Sequence, residues 1–312
     1  MQWGQIKTLF ILCFLILDIF LLHHFITYSN TNFEPTDNVP MEDDVRNNVN
    51  GINNLPEKSP SEEAMLYAER KEFSDTELTE IEELPNQTSV IIDRHLIVSE
   101  FDKPLAINVE EDMEALAENI WNFNQYRYFD KDEASNTYIF FQEIDRPIYF
   151  NPSGVLLVQV NDKEEVTRYV QTILEKAEDQ QEPEEINSPM DALTGLYLRN
   201  GFIRSGDEIT AEVELGYHNL LPLPNGVQLL APTWEFEVNG EHHYYVNAIE
   251  GHLTSRNDED FIQEMKIQIS DYFAEGSTAT VEVTDEEWEE ENIELLLEQL
   301  LEIQEETTNG VE

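Results

Sequence analysis

The sequence predicts an α+β protein: a single amino-terminal transmembrane helix, then an extracytoplasmic domain of antiparallel sheets and helices. Three observations carry that expectation. From Leu9 to Leu22 every residue except Asp18 is apolar, and Ile6–Tyr28 supplies about the 20 residues that a helix needs to cross a hydrocarbon core. Between 126 and 160, short β-branched and aromatic runs are separated by Asp, Asn, Pro and Gly turns. No helix of crossover length intervenes, which favours an antiparallel meander over βαβ units. The third is charge: 66 Asp and Glu stand against 17 Lys and Arg, a formal net of −49.

The span orders everything after it. Lys7 and the amino terminus flank its start, Trp3 is placed as an interfacial anchor, and no Lys or Arg follows until Arg46. The cationic flank stays cytoplasmic, so the bulk of the chain is expected outside the cell membrane. A cleaved signal peptide is the competing reading, but the apolar run leads into His23-His24-Phe25-Ile26-Thr27-Tyr28 without a small-residue cleavage site. Met1–Gln5 would form a cytoplasmic stub too short for a domain, so any inward signal would pass through a partner's helices. Asp18 is the odd residue. It either bonds within its own helix or contacts another membrane helix, and the second reading places Phe14, Leu15, Leu21 and Leu22 on the same face as partner-binding candidates.

Residues 29–62, rich in Asn, Pro, Asp and Glu, read as an acidic stalk. A first α+β part is expected over 63–180, a second over 186–251, and an acidic carboxy-terminal extension over 252–312, with the acidic run from Glu178 to Glu185 as the internal boundary. Ser74-Asp75-Thr76-Glu77 spells a capping box that opens a short helix, and Asn108-Val109-Glu110-Glu111 repeats the logic before the stripe Met113, Leu116, Ala117, Ile120, Trp121. Val166–Ala177 continues as a strand or a strand leading into a helix. Ser188-Pro189 opens another helix. Alternation from Glu208 to Tyr217 gives a half-buried strand, and Asn239-Gly240 joins two more in a tight hairpin. Thr284-Asp285-Glu286-Glu287 is expected to cap a last helix, whose stripe Ile293, Leu296, Leu297, Leu300, Leu301 docks onto the domain or binds a partner.

Charge and motifs exclude several functions. An acidic surface repels nucleic acid and anionic headgroups, so no nucleic-acid partner is expected. High external salt would screen its self-repulsion. Cys13, the single cysteine, falls within the span, which rules out external disulfides and thiol catalysis. There is no P-loop, dinucleotide glycine pattern, nucleophile elbow or HExxH. His242-His243 are adjacent and point to opposite faces of a strand, so no metal site is read there, and no cofactor is expected. Trp234, Tyr244 and Tyr245 form an aromatic cluster that lines a groove or, more commonly, packs across a hairpin.

Two stretches carry a resemblance. Trp3, Ile6-Lys7-Thr8, Phe10-Ile11, Phe14-Leu15-Ile16-Leu17-Asp18 and Leu21-Leu22 resemble the opening of the YycI (WalI) family. Leu215-Gly216-Tyr217, Ala231–Val238 and Tyr244–Gly251 resemble that family's carboxy-terminal hairpin, with Pro147–Asn151 and Ala192–Tyr197 between. The resemblance implies a single-pass protein whose outer domain has two related α+β parts. It also implies a complex with the sensor histidine kinase YycG/WalK and the sister protein YycH, in a two-component system that governs cell-wall metabolism. A regulator rather than an enzyme is therefore expected. A cell-wall- or peptide-binding sensor, or an unrecognised extracellular hydrolase, is the alternative. The acidic tail after Gly251 departs from the family pattern.

Overall fold

The computed structural model describes residues 41–109, 112–198, 202–222, 226–274, 277–285 and 287–301, together with Lys7, Phe14, Leu15, Leu17 and Asp18. Those five residues are helical and exposed. Among the described residues no helix is long and apolar enough to cross a membrane; most of the expected span, Leu21 and Leu22 included, lies outside them. The chain divides into two units, Met1–Asp44 and Val45–Glu312.

The larger unit is α+β. Its helices are α1 (Met41–Asn48, entering from the smaller unit), α2 (Asp75–Glu82), α3 (Met113–Asn119), α4 (Pro189–Leu198), α5 (Asp258–Tyr272) and α6 (Glu290–Leu301). Strands β1 (Glu62–Glu63) and β11 (Glu184–Glu185) make a separate antiparallel pair. The other strands in chain order are β2 (Leu66–Arg70), β3 (Gln87–Ile92), β4 (Leu96–Leu105), β5 (Tyr126–Asp132), β6 (Thr137–Ile144), β7 (Arg146–Tyr149), β8 (Val155–Val160), β9 (Val166–Thr172) and β10 (Leu174–Lys176). After the break come β12 (Glu214–Pro222), β13 (Gln228–Val238), β14 (His242–Asn247), β15 (Leu253–Thr254) and β16 (Val281–Val283).

Fourteen strands join in one sheet, ordered β10-β2-β13-β12-β7-β6-β8-β9-β4-β3-β16, with β14 beside β13, β15 beside β14 and β5 beside β6. The antiparallel expectation holds for every pair but one: β7 and β12 run parallel, Tyr217 opposite Ile148 and His218 opposite Tyr149. That pair is the seam of the sheet. β6 turns back through Asp145 (φ 59°) and leaves the far edge of β7 open, and β12 arrives there after a long excursion through α4. Strands from both sides of the acidic break thus share one sheet.

Period-2 alternation explains the layers. Tyr138, Phe140, Leu156, Val158 and Tyr169 face α2 and α3, packing with Ile81, Leu116 and Trp121. Ile139, Phe141, Leu157 and Val170 face the other way, against Phe261, Met265 and Ile269 of α5 and Leu296, Leu297 and Leu300 of α6. The acidic extension therefore covers an apolar sheet face. Beyond the seam, Leu215, Trp234, Phe236 and Val246 pack with Leu193 and Leu196 of α4 and with Val45 and Val49.

Some local expectations hold and others shift. The Ser74 box is complete: Glu77 N donates to Ser74 Oγ, and Ser74 N donates to Glu77 Oε2 at 2.9 Å. At Asn239 and Gly240 φ is 57° and 70°, as a type I′ turn requires. The third helix is capped by Asp112, which accepts from Ala115 N, and not by Asn108. Residues 166–176 form two strands without a helix. Ile209 makes an isolated bridge to Val238, and the regular strand starts only at Glu214. Thr284 does not cap the last helix; its hydroxyl accepts from Ser89 N at the sheet edge, and the helix starts at Glu290. The stretch expected as stalk is already built from Met41 onward, because Val45 and Val49 are buried and Ile52 and Leu55 half-buried against the α4 core. Four apolar residues in a polar segment suffice to tie it down.

Candidate functional site

The β13–β14 hairpin and the seam build one wall of a cleft. Register sets Glu235 opposite Tyr245 and Glu237 opposite His243, so these four side chains share a face, while Trp234, Phe236, Tyr244 and Val246 take the other. His243 Nδ1 lies 3.0 Å from Glu235 Oε1, and the Tyr245 hydroxyl donates to the same oxygen at 3.2 Å. Burial opposes a charge on His243, but the hydrogen bond and charge of Glu235, backed by Glu237 and Asp258, outweigh it and raise its pKa.

Tyr149 closes the floor. Its ring sits over Gly216, where an added Cβ would lie 2.3 Å from Cε2 and 2.6 Å from the Pro147 carbonyl oxygen. A glycine in the strand Leu215-Gly216-Tyr217 is thus a requirement of close approach. The ring is 5.1 Å from that of Tyr245 and edge-on to Phe141. Tyr149 is 2% exposed, yet its hydroxyl makes no hydrogen bond among the described residues. Burial first, then the adjacent Glu235 carboxylate, pushes its pKa well above the usual tyrosine value. Across the seam Arg127 grips Glu214 with both nitrogens, Nη1 to Oε2 at 2.7 Å and Nη2 to Oε1 at 2.9 Å. Between these walls lies a cavity of about 280 Å³, also lined by Phe129 and Glu212.

Beside it, Asp258 at the start of α5 is half-buried. Desolvation, then the charge of Asp130, lifts its pKa to about 7, while His243 pulls the other way. Among the described residues no group of three or more His, Cys, Asp or Glu could hold a metal ion. The arrangement brings carboxylates and aromatic rings to the cleft, with the Tyr149 hydroxyl sealed beneath its surface.

The residues singled out from the sequence are not brought together. Phe14, Leu15 and Asp18 are helical and exposed, and Leu21 and Leu22 lie outside the described residues. Trp234 is buried in the α4 core, its Nε1 donating to Asn187 O at 2.9 Å. Tyr244 is on that side too, donating to Phe202 O at 3.1 Å. Tyr245 is buried on the opposite face. Alternation splits the aromatic trio, so no single groove is formed by it. Sequence reasoning missed Arg127, Tyr149 and the Glu235–His243 pair; the one local signal was a glycine inside a strand.

The YycI family model, described as YycI protein, matches residues 34–249, more than half of the chain. The matched span includes the cleft walls from Arg127 to Tyr245 and stops before α5 and α6. A crystal structure of an uncharacterized protein from Eubacterium rectale ATCC 33656 is similar at 13% identity, covering 67% of this chain and 89% of that one, with a TM-score of 0.40. No curated protein matches the chain.

Proposed function

Because the chain belongs to the YycI family, we propose that it is an extracytoplasmic regulator, anchored in the cell membrane by its amino-terminal span. In this reading it complexes with a YycG/WalK-like histidine kinase and a YycH-like sister protein and sets the output of a two-component system for cell-wall metabolism. The family match over residues 34–249 carries the reading. The apolar run Leu9–Leu22 supports the anchor, and the long sheet suits a protein that works by contact rather than by turnover. A regulator of this kind acts by binding one kinase state more tightly than the other.

Asp18 is the proposed membrane contact, with Phe14, Leu15, Leu21 and Leu22 around it. Asp18→Leu should lower co-purification of the kinase from membranes roughly fivefold or more, as expected for loss of a polar interhelical contact of about 1–2 kcal/mol, and should shift target-gene output with it. Unchanged capture and output would remove Asp18 from the mechanism. Deleting residues 64–251 should also change the output; if it does not, the outer domain has no part in the coupling.

A further inference from the structure

The last helix closes the sheet, but its seat fits it imperfectly. α6 lays Leu296, Leu297 and Leu300 into the core shared by the sheet face and α5, while Leu295 beside them is exposed. The strand that leads into it, β16, pairs with β3 over three residues. Under the helix a cavity of about 30 Å³ remains, lined by Thr137, Leu157, Arg168, Ile262, Lys266 and Leu300. Close-packed cores leave few voids of this kind.

The second observation is a pair of cations with unpaired donors on that lining. Lys266 of α5 is buried, and its Nζ has no hydrogen-bond partner among the described residues. Arg168 of β9 shares Nη2 between Glu100 Oε1 at 3.3 Å and Gln299 Oε1 at 2.7 Å, yet its Nε is buried and unpartnered. Burial lowers the pKa of both groups, against the charges of Asp132 at Lys266 and Glu100 at Arg168. Both donors are sealed while α6 is seated, so nothing reaches them in the closed chain. Buried donors left unpaired on cations cost stability. The group that α6 sets against Arg168 is an amide, although the helix carries Glu290, Glu291, Glu294 and Glu298. The leucines of α6 match the seat, and its polar group does not.

We propose that the seat of α6 is a docking groove for an amphipathic helix of a partner protein, with leucine-like residues on one face and a carboxylate beside them, and that α6 holds the groove shut as an intramolecular stand-in. Release of α6 uncovers the apolar sheet face together with Arg168 and Lys266. The incoming carboxylate pairs donors that α6 leaves unpaired, and charge-assisted hydrogen bonds are the stronger kind. They offset the advantage that the tether gives α6. The inference goes beyond the regulatory reading and does not rest on it, since helix binding and kinase capture are measured separately.

The test is fluorescence anisotropy with the full-length chain in detergent micelles. The probe is a labelled synthetic peptide of residues 287–301 carrying Gln299→Glu, with the unaltered peptide and a scrambled one as controls. A chain whose own α6 is loosened by Leu296→Ser and Leu300→Ser should bind the probe saturably, and wild type about 10-fold or more weaker. The unaltered peptide should bind the loosened chain about 3–10-fold less tightly than the probe. Adding Lys266→Met to the loosened chain should reduce that preference. If the loosened chain fails to fold, hydrogen exchange of the intact chain decides. There the amides of α6 should exchange at least about 10-fold faster than those of β8 and β9, and Gln299→Glu in the chain should slow them about 3–10-fold. No saturable binding, equal binding of the scrambled peptide, equal binding by wild type, no preference for the Gln299→Glu peptide, or α6 amides as slow as those of β8 and β9 would overturn the proposal.

Discussion

The two faces of the β13–β14 hairpin are built from alternate residues of the same strands and have opposite characters. On one, Trp234, Phe236, Val238 and Val246 are buried against α4, and the one indole donor has its carbonyl. On the other, Glu235 and His243 pair within a half-open cavity, and Tyr149 keeps a hydroxyl unsatisfied. Composition along the strand does not separate them, because TWEFEV alternates too briefly to say which side meets a core. The difference teaches that side-chain direction, one residue apart, separates an apolar core from a charged cleft. The Trp234 face pairs its indole donor, whereas the Glu235 face leaves the Tyr149 hydroxyl without a partner among the described residues.

The largest effect should come from breaking the dry face. Trp234→Ala leaves a large cavity and an unpaired Asn187 carbonyl, and should cost about 3–5 kcal/mol in denaturant unfolding. Glu235→Ala should cost clearly less. Equal losses would dissolve the distinction between the faces.

A second change reaches the wet face through its floor. Gly216→Ala puts a methyl into the Tyr149 ring and the Pro147 carbonyl oxygen, and should cost about 1–3 kcal/mol. Combined with Tyr149→Ala the penalties should be non-additive, with partial recovery only, because the Pro147 oxygen remains in the way. Strict additivity would mean that Gly216 and Tyr149 are not coupled.

The smallest effect sharpens the electrostatics. In the folded chain Asp258 titrates at about 7 against a usual 3.8, so the native state holds more protons than the unfolded one between those values. Stability from this group is therefore highest below pH 4, falls as pH rises to about 7, and stays low above. His243, also raised, works in the same direction, its contribution present below about 6.5 and lost as pH passes its folded pKa. Asp258→Asn should gain about 1 kcal/mol on wild type between pH 4 and pH 8, the figure discounted for solvent screening at a half-buried site. A pH-independent difference would show that burial does not hold the proton on Asp258 in the folded chain.

How much could be read in advance depended on range. The Ser74–Glu77 box and the Asn239-Gly240 turn were legible, because a cap or turn is decided by atoms within four residues. The acidic last helix revealed its stripe, and its docking side followed. Thr284 misled, because its hydroxyl had a stronger claimant in Ser89 across the sheet edge. The early tether of Val45 and Val49 was hidden in a polar segment, since two valines carry no period. Of the cleft, only Gly216 spoke, and it did not say what pressed against it.

The amino-acid sequence by itself determined the amino-terminal apolar run, the strand-rich α+β class, the local caps and turns, and the negative field, since each follows from neighbouring residues or from summed charge. Only the tertiary structure decided that β7 and β12 meet in parallel, that Tyr149 lies over Gly216, and that Arg127, Glu214, Glu235 and His243 enclose one space. Those contacts join segments far apart in the chain, where many closures cost nearly the same entropy, and surface complementarity selects among them.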